Sequence, residues 1–376
     1  MTSYAKPTLR NALPFWSVLL FVPLAMVGPA LGGLWVLALP FAVWNVTLLL
    51  DLAAGSDDVS LDPATPERDI FWHRAATLVW PPIQTAIIFG SIAWVTSAPH
   101  LSALEAVVIF LGIGALSGAV GIVFAHELMH QKSRTERWLA DILMTQVLYG
   151  HFRSEHLIVH HAWVGTPRDA ATARLGEGFH AFFFRVLPQC LRSAWAAERS
   201  RLARKGLPVW DRSNPFWRYG ALQAFWLLTA LVLGGWAGVA LFLFQALVAI
   251  WQLELINYIE HYGLTRKHLG DGRYERALPR HSWDDSHSVS RGVFINLPRH
   301  ADHHASPARR FPLLQSYGEG EAPRLPFGYS AMTALALVPP LWRRVMNPRV
   351  RRWRAAFYPE ITDWRPYDRH ETPMPR

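Results

Sequence analysis

The chain has 376 residues, 51% of them hydrophobic, with 18 Trp, 20 Phe and 17 His and a formal net charge of +9. So much apolar and aromatic side chain points to a lipid bilayer and away from a soluble domain. The single cysteine, Cys190, excludes a disulfide framework and any thiolate metal cage, so metal chemistry would have to rest on histidine and carboxylate.

A hydrocarbon core of roughly 30 Å takes about 20 apolar residues per helix. Six stretches meet that length, near 14–31, 33–50, 75–97, 104–125, 218–235 and 237–257. They pair as three hairpins through the short connections GPALGG, TSAPHLS and LGGWAG. Lys6 and Arg10 precede the first run as they would in a signal peptide, but a second span follows within a few residues, so the run reads as a retained anchor. Of the 37 Lys and Arg, two precede span 1 and two lie between spans 2 and 3. Fourteen fall in 132–218 and nineteen from Arg266 onward, and the three hairpin loops carry none. The positive-inside rule then puts both termini and both hydrophilic segments, 126–217 and 261–376, in the cytoplasm. That orientation, together with anionic lipid headgroups, accounts for the net charge without invoking nucleic acid.

Between the spans, LPQCLRSAWAAERSRLARKG suits a helix stopped at Gly206. The Gly- and Pro-rich 318–328 reads as loop. The apolar run 329–342 is short and broken by Pro339-Pro340, so it is expected to lie against the membrane and not to cross it. Strand signals are weak and no internal repeat appears beyond the hairpins. The expected class is all-α: six transmembrane helices with a cytoplasmic helical cap.

The histidines gather where this topology meets the cytoplasm. His126 and His130, in HELMH, end span 4, and on a continuing helix both rings point to one side, about 6 Å apart. EHLIVHH supplies His156, His160 and His161. RHADHH supplies His300, His303 and His304, and His261 ends span 6. Nine imidazoles on one membrane face exceed the needs of one metal, so two ions are implied; neutral nitrogen donors suit iron, copper or zinc. HELMH also fits the zinc-protease signature, but a protease needs that motif, one further ligand and an open position for water, and leaves the other histidines without use.

Glu127, Glu155, Glu260 and Asp302 lie beside the clusters, with Asp169 a little further on. Each is either a partner for an imidazole N–H or a charge facing water. Glu254 differs because it lies inside span 6, where an ionisable group is costly. Seven residues before His261, it shares that helix face with Asn257 and Tyr258, and the row would form a polar path towards the metals.

These motifs resemble the bacterial integral-membrane alkane 1-monooxygenases. The matching stretches are HELMH, YGHFRSEHLIVHHAWVGTPRDAATARLGE, NYIEHYGL, DGRYERALPRHSWDDSHSVS, LPRHADHHASPARR and VPPLWRRVMNPRV, and the similarity runs from about span 1 to Arg349. HELM also occurs in the related xylene methyl-group monooxygenases. The resemblance implies a single membrane-bound hydroxylase domain over 1–376 in the bacterial inner membrane. It implies two non-heme iron ions (Fe2+/Fe3+) held by His126, His130, His156, His160, His161, His261, His300, His303 and His304. Electrons would come from rubredoxin with its reductase, and a terminal methyl group of an n-alkane would be hydroxylated with O2. His281 and His287 match family positions of structural or outer character. Gln131 stands where the family usually has Lys, Leu157-Ile158-Val159 where it has Asn-Lys/Arg-Gly, and Pro167-Arg168-Asp169 where it has an acidic version; none of these changes removes a ligand.

With no CxxC pairs the electron donor must be a separate protein, which an Arg-rich cytoplasmic face would steer. Substrate would enter from lipid between the spans. Trp44 in span 2 is a candidate to limit chain length, though a tryptophan there more often packs or faces lipid. Two other readings stay within the histidine-rich class: hydroxylation of alkyl-aromatic methyl groups and fatty-acid desaturation. A transporter or non-enzymatic metal-binding membrane protein would be expected to carry its polar groups at midplane.

Overall fold

A computed structural model describes residues 4–318 and 320–369. The expected placement of the two termini falls on residues outside this description. Helical segments dominate the chain. The one sheet among the described residues is a two-stranded antiparallel hairpin, β1 (His268–Gly270) with β2 (Arg273–Tyr274). Asp271 and Gly272 join the strands at φ 51° and 68°, the Asp-Gly pairing that tight hairpin turns favour and that the expectation of weak strand signals passed over.

Among the described residues, five helical stretches are long and apolar enough to cross a membrane: α1 (Leu9–Leu31), α2 (Gly33–Ala54), α3 (Glu67–Ser97), α4 (Ala103–Met129) and α8 (Phe216–His261). The expected spans fall inside them, each helix running a few residues beyond its apolar run. The count is five because α8 contains two of the six expected runs. It is not one rod. Gly235 breaks it at φ 59° and ψ −153°, and a Cβ placed on Gly238 would lie 2.5 Å from the Ala230 carbonyl oxygen. A straight helix would hold residues eight apart at about 12 Å, so the chain turns back on itself at Gly235.

The second leg of α8 packs against α4, and glycine allows the approach. A Cβ on Gly114 would meet the Gln245 carbonyl oxygen and Val248 Cβ at 2.7 Å each. Membrane helices associate through such close contacts, since lipid offers no hydrophobic driving force between them. α4 carries a π-helical turn at Ser117–Ile122, one turn before HELMH, an irregularity common near functional sites.

Between α4 and α8 in the chain come α5 (Arg134–Gln146), α6 (residues 152–163, with a π-helical turn at His156–His160) and α7 (Phe179–Ala203). α9 (Ser288–Val293), α10 (His300–Ala305), α11 (Tyr329–Ala336) and α12 (Pro339–Phe357) follow. α7 matches the helix expected before Gly206. Tyr329, Met332, Ala336 and Trp342 are buried in the same core as Leu255 and Tyr258, so the apolar side of 329–342 covers α8. Replacing Gly114 by Ala is expected to cost about 1–3 kcal/mol through overpacking against α8. A thermal melt of the detergent-solubilised variant unchanged from the parent would show that α4 and α8 do not touch there.

Candidate metal centre

Three local devices aim the nine histidines. On α4 the spacing of four does what a helix predicts, and the rings of His126 and His130 lie 5.0 Å apart. On α6 the spacing of five between His156 and His161 would miss on an α-helix. The π turn corrects it: the His161 N–H donates to the His156 carbonyl, and their Nε2 atoms stand 3.0 Å apart. On α10, His300 and His304 share one side while His303 turns to the other.

The result is two groups. His126, His130, His156, His161 and His303 form the first; His160, His261, His300 and His304 form the second, with the ligand atoms of each group all within 4.8 Å of one another. In the first, Nε2 separations are 3.0 Å for His130–His156 and 3.1 Å for His161–His303. In the second they are 3.3 Å for His160–His304, 3.0 Å for His300–His304 and 3.1 Å for His261–His300. Such edges suit nitrogens about 2.1 Å from a shared centre, an ordinary metal–imidazole distance. A neutral imidazole has one N–H, so facing nitrogens cannot all satisfy one another, and a cation that accepts their lone pairs resolves the conflict. Burial, then the neighbouring imidazoles, pushes His156, His161, His300, His303 and His304 well below the ordinary histidine range. Neutral imidazole is the form a metal binds.

The short α10 needs outside support. The turn before it puts Ile295 at φ 40° and Asn296 at φ 57°, a strained choice for a β-branched residue. Asn296 holds it, its Nδ2 donating to the Phe311 carbonyl at 2.9 Å and its Oδ1 accepting from Arg291 Nε at 3.1 Å. Asp284 Oδ1 accepts the Ala301 N–H at 3.0 Å. Burial pushes the Asp284 carboxyl up to about 8.

The carboxylates divide. Asp169 Oδ2 lies 3.0 Å from His160 Nδ1 and also accepts from Thr172 Oγ1 at 2.7 Å. Burial alone would raise this carboxyl, but the His160 ring and its hydrogen bonds hold it below its usual value. Glu260 accepts from Tyr329 Oη at 2.7 Å and stands 3.3 Å from His300 Nε2. The others turn elsewhere. Asp302 accepts from the Gln315 N–H at 2.9 Å and Tyr317 Oη at 2.8 Å and is paired with Arg309, fastening the loop after α10. Glu127 accepts from Gln131 Nε2 and the Phe311 N–H. Glu254 accepts from Tyr149 Oη at 2.7 Å and Asn257 Nδ2 at 3.1 Å; a tyrosine and an asparagine, not an imidazole, bond it there. Tyr258 leaves the expected row as well, its hydroxyl donating to the Glu177 carbonyl. Glu155 is fully buried without a hydrogen-bond partner. Burial, with Asp169 and Glu254 nearby, raises it well above the carboxylate range. His281 bonds Tyr358 at 2.7 Å and His287 bonds Asp285, and neither side chain joins either group. Asp284 and Tyr329 escaped the sequence reading because only the fold brings them to the site.

An apolar cavity of about 320 Å³ approaches the histidines, its wall including Trp44, Leu48, Trp251, Leu255, Phe294 and Leu337. A smaller space of about 30 Å³ is lined by His126, His156, His300, Glu260 and Phe152. Gly118, Val123, Ile256 and Leu297 line both, so the two spaces are neighbours.

Apolar membrane-length helices capped by two knots of converging imidazoles define a histidine-rich membrane protein of the fatty acid desaturase class, and the sequence profile of that family matches residues 102–336. Alkane 1-monooxygenase 1 of Pseudomonas aeruginosa is 37% identical over 333 residues, covering 85% of this chain and 84% of that protein. Alkane 1-monooxygenase 2 of Alcanivorax borkumensis is 33% identical over 364 residues, 90% of each chain. The hydroxylase component of the xylene/toluene monooxygenase of Pseudomonas putida is 30% identical over 248 residues, 65% of this chain and 64% of that one. The chain belongs to the alkane 1-monooxygenase family.

Removing the partner of His160 tests the second group. Asp169→Ala is expected to weaken metal binding by about 10–100-fold, with Asp169→Asn, which keeps an acceptor oxygen, falling less. Equal metal content after dialysis against a graded chelator series would remove Asp169 from the site.

Proposed function

We propose that the chain is a non-heme diiron monooxygenase that hydroxylates the terminal methyl group of alkanes to primary alcohols, using O2 and electrons delivered by rubredoxin and its reductase. The observation that carries this reading is an apolar cavity that adjoins the space beside the two imidazole groups, the two sharing wall residues. His126, His130, His156, His161 and His303 would hold one iron, and His160, His261, His300 and His304 the other. When bound and reduced, the iron pair supplies the redox chemistry by which one oxygen atom of O2 enters a C–H bond and the other leaves as water.

The chain's own residues supply placement. Trp44 and Leu48 bound the cavity that takes the alkyl chain, and its volume lies near the lower end of small-ligand pockets. Gly118, Val123, Ile256 and Leu297 let a slim methyl terminus through and keep water out, which suits radical chemistry at an unactivated carbon. Asp169 fixes the ring of His160 through its outer nitrogen Nδ1, whereas Glu260, held by Tyr329, faces His300 Nε2, the nitrogen that would bind iron, and so would border the second ion directly. Asp302 keeps α10 in place through Arg309 and the backbone of Gln315, a structural support of the site.

Six crossings follow if α8 is two spans joined at Gly235, which gives the hairpin loops no Lys or Arg and places the hydrophilic segments and both termini in the cytoplasm of a bacterial inner membrane. The exposed arginines of α12, Arg343, Arg344, Arg351 and Arg352, would then face anionic headgroups or an acidic electron donor.

Purified protein is expected to hold about two irons per chain, as the two histidine groups imply, and His303→Ala to lose iron and alcohol product together. Mass spectrometry of products from cells supplying a rubredoxin system, fed alkanes, alkylbenzenes and fatty acids, decides the substrate. One zinc per chain with peptidase activity, or an unsaturated fatty acid as the product, would sink the reading. Reporter fusions at Gly33, His100 and Gly235 should report the periplasm, and fusions at Ser56 and Arg212 the cytoplasm. A cytoplasmic signal at His100 contradicts the topology.

A further inference from the structure

One pair of polar groups near the metals has no part in the reaction just described. Tyr149 is 3% exposed and Glu254 0%, and the phenol donates to Glu254 Oε1 at 2.7 Å. Neither lines the apolar cavity or the space beside the histidines. The Tyr149 ring stacks on Phe152, centroids 5.7 Å apart and planes 18° apart. Phe152 in turn stacks on His156, at 5.1 Å and 26°. His156 belongs to the first imidazole group. A row of three stacked rings therefore ends at the first imidazole group on one side and at a phenol bonded to a carboxylate on the other.

The chemistry of that arrangement is specific. Oxidising a buried phenol to a charged radical is costly in a low-dielectric interior. With a carboxylate at hydrogen-bond distance the proton leaves with the electron, and the products are a neutral radical and a neutral acid. The second tyrosine–carboxylate pair, Tyr329 with Glu260, stands against His300 and the cavity wall and serves the substrate side. Tyr149 is insulated from substrate.

Resting on the iron assignment above, we infer that Tyr149 is a redox-active residue that spares the site when O2 has been activated and no C–H bond is in reach. The O–H bond of Tyr149 breaks, its electron passes through the rings of Phe152 and His156 to the oxidised centre, and its proton moves to Oε1 of Glu254. The centre is reduced by one electron, leaving a tyrosyl radical and a protonated Glu254. One electron from the external reductant, with the proton returned from Glu254, restores tyrosine. Without this outlet the same oxidising equivalents fall on the ligand imidazoles.

The test uses the iron-loaded full chain in nanodiscs, grown with ring-deuterated or ordinary tyrosine, reduced with dithionite, mixed with O2 in the absence of alkane and frozen. Electron paramagnetic resonance should show a radical whose hyperfine splitting narrows on deuteration. The signal should be absent from Tyr149→Phe and much weaker in Glu254→Gln, which keeps an oxygen for the phenol to bond but does not take its proton. Peptide mass spectrometry after repeated substrate-free turnover should find more oxidised histidine in Tyr149→Phe than in the parent. An undiminished tyrosine radical in Tyr149→Phe overturns the inference. So does a parent chain that hydroxylates octane yet gives no radical, and that outcome leaves the proposed function standing. A parent that neither binds iron nor hydroxylates removes both.

Discussion

Nine ring nitrogens crowded into two small groups have to stay uncharged. The rings of His126 and His303 are 4.4 Å apart and those of His161 and His304 4.7 Å. Protonating two such neighbours would set up a repulsion of about 4 kcal/mol at an effective dielectric near 20, and the groups contain several pairs of this kind. Burial suppresses the charge, and burial is what the surrounding elements provide: α4 and α8 from below, α6 and α10 from the sides, and α11 over Glu260. The strained turn at Ile295–Asn296 and the carboxyl of Asp284 make sense on the same terms, since a six-residue helix carrying three histidines cannot hold its own position.

The distribution of carboxylates follows from that dryness. Only two of those flanking the histidines touch an imidazole, Asp169 and Glu260, and each also accepts a bond from a hydroxyl. Two of the others fasten the surroundings, Asp302 the loop after α10 and Glu127 the backbone at Phe311, and Asp141 further off does the same for Arg153 and Arg218. Charge near a metal site is often read as catalysis. Here most of it closes loops that would otherwise leave backbone groups unpaired in a low-dielectric interior.

What was legible in the sequence was local. An apolar run of twenty residues is visible in a window of twenty, so the spans fall inside α1–α4 and the two legs of α8. The fold-back at Gly235 was legible too, because LGGWAG interrupts the run. The nine histidines could be collected because they sit at the ends of those runs. Their division into five and four could not, because it depends on a π turn that brings His156 and His161 together and sends His160 the other way, and no residue pattern announces that turn. Partners remote in sequence were equally hidden. Tyr149 reaches Glu254 and Tyr329 reaches Glu260 only through the packing of α8 against its neighbours, so the expected polar row keeps its Asn257–Glu254 bond along the helix while the hydroxyl partners come from outside α8. Tyr258 belongs to a different face of the site because its hydroxyl finds a carbonyl near α7.

The two histidine groups differ in one respect that bears on how the protein is made. In the first, His130 and His161 keep partial solvent contact, whereas all four members of the second are buried. An ion bound for the second group must therefore arrive before α10 closes over His261, or travel by way of the first. Assembly would then be ordered, with the inner position filled while the chain is still maturing and the outer one open to later exchange. Stripping and reloading the folded protein should give one fast and one slow phase of uptake, and a single phase for both ions would mean that the cover opens as a whole.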